Sequence, residues 1–323
     1  MALLPLQNLI SKDIATGVMA VLAIFSLSVF LPIVGFIFSL FIPLPIVFYR
    51  AKLGRRPGAA VVLIAVALMA LVFGGFSIDL LFFAGLMLLG FVMGEMFEKP
   101  LSVEMTIGAT SAIVLGAGLI VVLLYSITSQ TGMMALVSAY VATNLELSLK
   151  LYEGLGIPQE SIDAIANASE RIQYVLVRIM PSIMTASTLF VAWINLIVVR
   201  PLMLRKELAF PDFGRLNHWR APDPFIWGVI ACGVVMLTPA TGIRLLGING
   251  LLVLLTVYFM QGIAILSFYF EKKGLPRFVR VVLYTMIAFQ QLFLLVVIGI
   301  GLFDMWVNFR KIDTNKHKTD LPS

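Results

Sequence analysis

The sequence predicts an all-α fold, a polytopic transmembrane bundle of about eight to nine spanning helices. Hydrophobic residues make up 60% of the 323, charged residues only 12%, and mean hydropathy is +1.02. A soluble domain carries about twice that charged share. The apolar residues come in solid blocks without period-two alternation, which excludes a β-barrel. Lys and Arg gather in short clusters between the blocks, the pattern of loops that obey the positive-inside rule. The net charge of +6 therefore reads as a topology signal and not as a nucleic-acid footprint.

A helix needs about 20 mostly apolar residues to cross a hydrocarbon core of about 30 Å. Nine stretches come near that length: 14–31, 33–49, 58–75, 77–96, 105–128, 174–199, 224–240, 243–270 and 278–306. The first two form one apolar run too long for a single crossing, and Pro32 interrupts it, so a tight hairpin is expected there. No small-residue cleavage site follows the first stretch and no lipidation box is present, so the run is expected to stay as a span. Gly90-x-x-x-Gly94 in the fourth stretch and Ala112-x-x-x-Gly116 in the fifth predict close helix approach.

The longest polar interval, 129–173, reads as an extracytoplasmic amphipathic helical insertion within a single membrane domain. Met133, Leu136, Val137, Tyr140 and Val141 recur at helical spacing, and Pro158 marks the first turn of a second helix feeding the sixth span. Residues 131–171 carry five carboxylates against two cations, as an outer segment allows. A polar tail, 307–323, ends the chain.

With the N-terminus inside, fifteen of the 23 Lys and Arg fall in inside loops, chiefly at 50–56, 200–220 and 272–280. Seven fall outside, and four of these, Arg310, Lys311, Lys316 and Lys318, lie in the tail. Only the tail breaks the rule. Gln290 and Gln291 sit near the middle of the last stretch, and a broken or re-entrant helix there would return the tail to the basic side.

The chemistry-bearing residues are few. A lone Cys232, with His218 and His317 in polar stretches, supplies no metal or cofactor site. HExxH, GxSxG, Walker A and GxGxxG patterns are all missing, so no enzyme is expected. Asp79, Glu95, Glu104, Arg178 and Asp304 lie near predicted span ends, where they can reach headgroups or water. Asn195, Asn249, Gln261, Gln290 and Gln291 lie deeper. They are the candidate substrate-binding residues, with hydrogen-bonded packing between helices as the alternative.

Several segments together carry a resemblance: 43–60 (PLPIVFYRAKLGRRPGAA), 178–205 (RIMPSIMTASTLFVAWINLIVVRPLMLR), 217–228 (NHWRAPDPFIWG), 247–269 and the ending IGLFDMWVNFRK. They resemble the YybS-like family of bacterial membrane proteins, a domain of unknown function. That family is similar to the S components of energy-coupling-factor transporters, which capture small solutes and dock on a membrane subunit driven by two ATPases. The resemblance implies a multi-pass protein of the bacterial cytoplasmic (inner) membrane, with the lipid bilayer, a small-molecule solute and an energy-coupling ATPase module as partners. It also implies docking through small residues of the first helix, here Ala15, Gly17, Ala20 and Ala23. The chain is longer than a usual S component and lacks a vitamin-binding constellation, so no substrate is implied. The alternative is a membrane scaffold or regulatory partner whose basic loops recruit lipid or protein.

Overall fold

The computed structural model describes residues 3–31, 34–75 and 77–311, and within these it holds thirteen α-helices, one 3₁₀ turn and no strand. The chain opens with α1 (Leu3–Phe30), then the short α2 (Gly35–Ser39) and α3 (Pro43–Leu53), which pack back on α1. The expected hairpin turn at Pro32 lies outside the described residues. Pro43 and Pro45 sit in the first turn of α3, where their missing N–H groups would have no helical partner anyway. Gly54, with φ of 86°, turns the chain into α4 (Arg55–Val72).

Ser caps start the next two helices. The Ser77 hydroxyl accepts from the Leu80 N–H at 3.1 Å to open α5 (Ile78–Met96), and Ser102 does the same for Met105 at 3.4 Å to open α6 (Val103–Thr128). Residues 129–173 form α7 (Met133–Gly154), α8 (Gln159–Asn167) after Pro158, and the start of α9 (Ser169–Arg205). α9 is 37 residues long and contains Pro181 and Pro201. The connection 206–224 holds a 3₁₀ turn (Leu216–His218), and α10 (Phe225–Met236), α11 (Thr241–Lys272), α12 (Arg277–Phe289) and α13 (Gln291–Val307) follow.

Among the described residues three apolar cores hold the bundle, the smallest of them Ala221, Ile226, Val257 and Tyr258 beneath α13. Val21, Phe25, Ile42, Ile46, Met69 and Met87 close the space between α1, α4 and α5, with Ile42 and Ile46 entering from the start of α3. Val47, Leu89, Met93, Leu196, Val199 and Met203 join α3 and α5 to α9. Gly90 and Gly94 make the first contact tight: a Cβ on Gly90 would lie 2.5 Å from the Pro43 carbonyl oxygen, and one on Gly94 2.5 Å from Arg50 Cγ. Gly116 has nothing within 4 Å, so the second small-residue motif brings no neighbour close.

Among the described residues seven segments are long and apolar enough to cross a membrane, with α2 and α3 together (Gly35–Leu53) as one of them, or eight if α12 and α13 count as one span. Two stretches differ from the expected straight spans. The stretch 224–240 yields only the 12-residue α10, because Pro239 and the residues before it leave the helix. α10 still runs antiparallel to α11, with Gly228 against Leu254 and Cys232 against Gly247 and Gly250, and so leads the chain from the basic side to the start of α11. The stretch 278–306 is broken at Gln290, where α12 and α13 meet at 102°.

Candidate functional site

The buried amides bond to backbone groups at irregular points of the chain. Asn195, fully buried on α9, donates to the Leu40 carbonyl at 2.7 Å and to Val191 at 2.8 Å. Leu40 lies in the break between α2 and α3, where a carbonyl lacks a helical partner. Asn249 on α11 accepts from the Ser182 N–H at 3.1 Å and donates to the Arg178 carbonyl at 3.0 Å, one turn of α9 around Pro181. Gln261 accepts from the Ala221 N–H at 3.0 Å, in the segment before α10. Gln290 and Gln291 stand exposed at the bend and join none of the others.

Gln261 leads into the densest polar cluster. Its Nε2 donates to Asp304 Oδ2 at 3.2 Å, and the same oxygen accepts from Arg310 at 2.9 Å, with Arg220 Nε at 3.6 Å. The other carboxylate oxygen of Asp304 accepts from the Phe309 N–H at 3.0 Å. Arg310 also donates to the carbonyls of Asn217 and Trp219, at 2.9 and 3.0 Å. Asp304 is fully buried, so this clamp ties the end of α13 to α11 and to the 206–224 connection. Asn308, left-handed at φ 43°, makes the turn that brings Arg310 back to Asp304. Beside the clamp a void of about 10 Å³, lined by Arg220, Asp223, Tyr258 and Gln261 among others, has room for about one water.

A second ionic cluster sits at the same basic side. Arg50, 2% exposed, donates from Nε to Glu95 at 2.7 Å and from NH1 to Glu98 at 2.9 Å, and Arg55 reaches the second Glu95 oxygen at 3.5 Å. The Arg50 guanidinium holds the Glu98 carboxyl below the usual range. Glu104 accepts from the Trp219 indole at 3.1 Å, and Arg178 lies over the Tyr174 ring at 3.3 Å. Of the five boundary residues, only Asp79 simply faces out. The sequence missed the burial of Asp304 and Arg50 because the groups that cover them from other elements, Gln261 and Arg220 for Asp304 and Glu95 and Glu98 for Arg50, lie 43 to 84 positions away.

On the opposite side, α7 and α9 enclose an open groove of about 290 Å³, lined by Tyr140, Val141, Asn144, Leu145, Ser148, Leu176 and Met180. Gln173 braces it by donating to the Ser138 hydroxyl at 2.9 Å and to the Ser138 carbonyl at 3.1 Å. The only candidate amide on either void is Gln261, beside the small one. On α1, Gly17 packs on the Tyr49 ring while Ala15 and Ala23 face out, so the four small residues do not form one surface.

Neither a comparison with curated proteins nor one with solved structures gives a match. A model of a predicted membrane protein family, DUF2232, matches residues 18–305, a span running from the middle of α1 to just past Asp304. The chain is a helical membrane protein and belongs to that family, whose function is unknown.

Proposed function

We propose that the protein is a membrane-embedded scaffold or regulatory partner without catalytic activity, set in the bacterial cytoplasmic membrane with its basic side inward. The observation that carries this reading is the bonding of Asn195, Asn249 and Gln261. Each satisfies a backbone group, Asn195 at the α2–α3 break, Asn249 beside Pro181 within α9 and Gln261 in the loop before α10, so the polar interior serves the fold. The 206–224 connection supplies a docking platform. Phe210 and Phe213 pack on Phe97 with ring centroids 5.1 and 6.2 Å away, and Trp219 and the Arg310 bonds fix the rest. Arg56, Arg205 and Lys206 remain exposed around it, which suits an acidic protein surface.

A second reading, solute capture in the manner of an S component with an energy-coupling ATPase module, has one specific observation in its favour. The α7–α9 groove, about 290 Å³, approaches the size of small-molecule sites. Its Asn144 and Ser148 could orient a polar group, while Gln261, Asn195, Asn249, Gln290 and Gln291 would act only through the fold. Gentle purification from the native membrane, with mass spectrometry of everything retained, separates the two. A reproducible protein partner lost on Arg205→Glu/Lys206→Glu supports the first reading. A stoichiometric metabolite lost on Asn144→Leu, or an ATPase pair, supports the second and defeats the first.

A further inference from the structure

Hydroxyls on the helices of this protein are commonly taken up by their own helix. Thr16, Ser28, Thr128, Thr185, Thr188 and Thr256 each donate to the carbonyl four residues back, at 2.6 to 3.0 Å. Three hydroxyls of α6 do not. Thr106, Thr110 and Ser111 are at most 2% exposed, and their oxygens meet no hydrogen-bonding partner among the described residues. They share one stripe of α6 with Val103, Ile107 and Val114, spaced by three and four residues, and that stripe enters the core where α6 and α3 each pack on both α5 and α9.

A fourth unpaired oxygen faces the same core from α9. The Asn195 Nδ2 is placed by two carbonyls, Leu40 at 2.7 Å and Val191 at 2.8 Å, which fixes the orientation of the amide and leaves its buried Oδ1 with no donor. α6 leaves the basic side and α9 returns to it, with Val103 and Met203 in one core. Thr110 and Asn195 therefore both lie about 10 to 15 Å in from that side, near the middle of the bilayer. The break between α2 and α3 reaches the same depth, since Leu40 lies in it. Oxygen ligands beside an interrupted helix near the bilayer middle are how membrane proteins hold sodium.

The donor set is neutral. Hydroxyl and amide oxygens replace the water shell of a hard cation, but a divalent ion is held by carboxylates. Asp304, bound by Arg310, is the only fully buried acid among the described residues. We propose that Thr106, Thr110 and Ser111 of α6 and Asn195 Oδ1 of α9 hold a sodium ion and so tie α6 to α9. The 206–224 connection closes the basic end of this core with Phe210 and Trp219. The inference stands whether or not the proposed function does.

The test is thermal unfolding of the full-length protein in detergent, in sodium, potassium or choline chloride at equal ionic strength. Sodium should raise the melting temperature of wild type in a saturable way, by about 5 °C once it far exceeds its dissociation constant, and choline should not. That comparison needs no variant to fold. Thr110→Val/Ser111→Ala should lose the sodium response, while Thr256→Val, whose hydroxyl bonds its own helix, should keep it. Equal melting temperatures of wild type in the three salts overturn the proposal, as does a full sodium response in the double variant. So does a double variant that gains stability in every salt when sodium does nothing for wild type, the behaviour of hydroxyls buried without a ligand.

Discussion

Asn249 of α11 is inserted into the backbone of α9 at Ser182: its Oδ1 accepts from the Ser182 N–H at 3.1 Å while its Nδ2 donates to the Arg178 carbonyl at 3.0 Å. Those two groups are the donor and acceptor of one helical rung, four residues apart. Pro181 sits inside that rung and, lacking an N–H, loosens the turn around it. A polar side chain from a neighbouring helix is how a membrane protein tolerates a proline inside a span.

Asn249→Leu should therefore destabilise the protein by about 1 to 2 kcal/mol, the range for a stranded interhelical hydrogen bond. Thermal unfolding in detergent, followed by dye labelling of the single thiol at Cys232, reads it directly. Pro181→Ala lets the rung close by itself, so the Asn249→Leu cost should shrink in that background. A cost that is unchanged there would show that Asn249 acts elsewhere.

Hydropathy made the helices and the fold class legible, because each block of apolar residues is long enough to name its own span. Gln290 and Gln291 also marked the break at 290. The short α10 was harder to read, since Leu237 counts as apolar whether or not it is helical. The clamp at Asp304 was not legible. An acid near a helix end looks solvent-reaching in one dimension, and only the fold brings Gln261, Arg220 and Arg310 to it. The amides were identified as a set, but nothing local said that each would meet a backbone group.

Asp304→Ala should be among the costliest single changes, at about 3 to 5 kcal/mol, because it leaves the Arg310 guanidinium buried without its carboxylate. Replacing both, as Asp304→Leu/Arg310→Met, should recover much of that loss. The same thermal assay, with limited proteolysis near residue 310 as a local probe, checks both. A double variant as unstable as the single one would mean that the bonds of Arg310 to Asn217 and Trp219 matter more than the ion pair.

Gly301 is the closest approach between α13 and α11, where an added Cβ would fall on the Tyr258 carbonyl oxygen. Gly301→Val should cost about 3 kcal/mol or more through overpacking. Gly299→Ala, on the same helix with nothing within 4 Å of an added Cβ, should be neutral or slightly stabilising. Similar melting temperatures for the two variants would contradict this packing.

His218 should make the 206–224 connection sensitive to mild acid. Burial, then the cations Arg215 and Arg310, hold its imidazole below the ordinary value, against a weaker pull from Glu271. The unfolded chain therefore takes up a proton as pH falls through about 6.5 while the folded chain does not, and stability declines from there toward the lower folded pKa. Above that window the group contributes no pH dependence. Comparing melting temperatures at neutral and mildly acid pH, His218→Phe should lose part of the acid sensitivity of wild type, and identical pH profiles would exclude His218 as its source.

The side on which the tail emerges gives the sharpest test of the architecture. A full crossing by α12 and α13 would carry Arg310 away from the basic loops, yet Arg310 bonds the carbonyls of Asn217 and Trp219, and Tyr269 near the end of α11 donates to the Phe309 carbonyl at 2.6 Å. Arg277, at the other end of the pair, follows Lys272 closely, so the pair starts and ends on one side. This arrangement also removes the only loop that broke the charge rule. In a Cys232→Ser background, single cysteines at Lys206 and Lys311 should react with an impermeant maleimide from the same side of sealed vesicles, and a cysteine at Lys150 from the other. If position 311 labels with position 150, the α12–α13 pair crosses the membrane, and the Asp304 clamp must be open in the membrane-embedded protein.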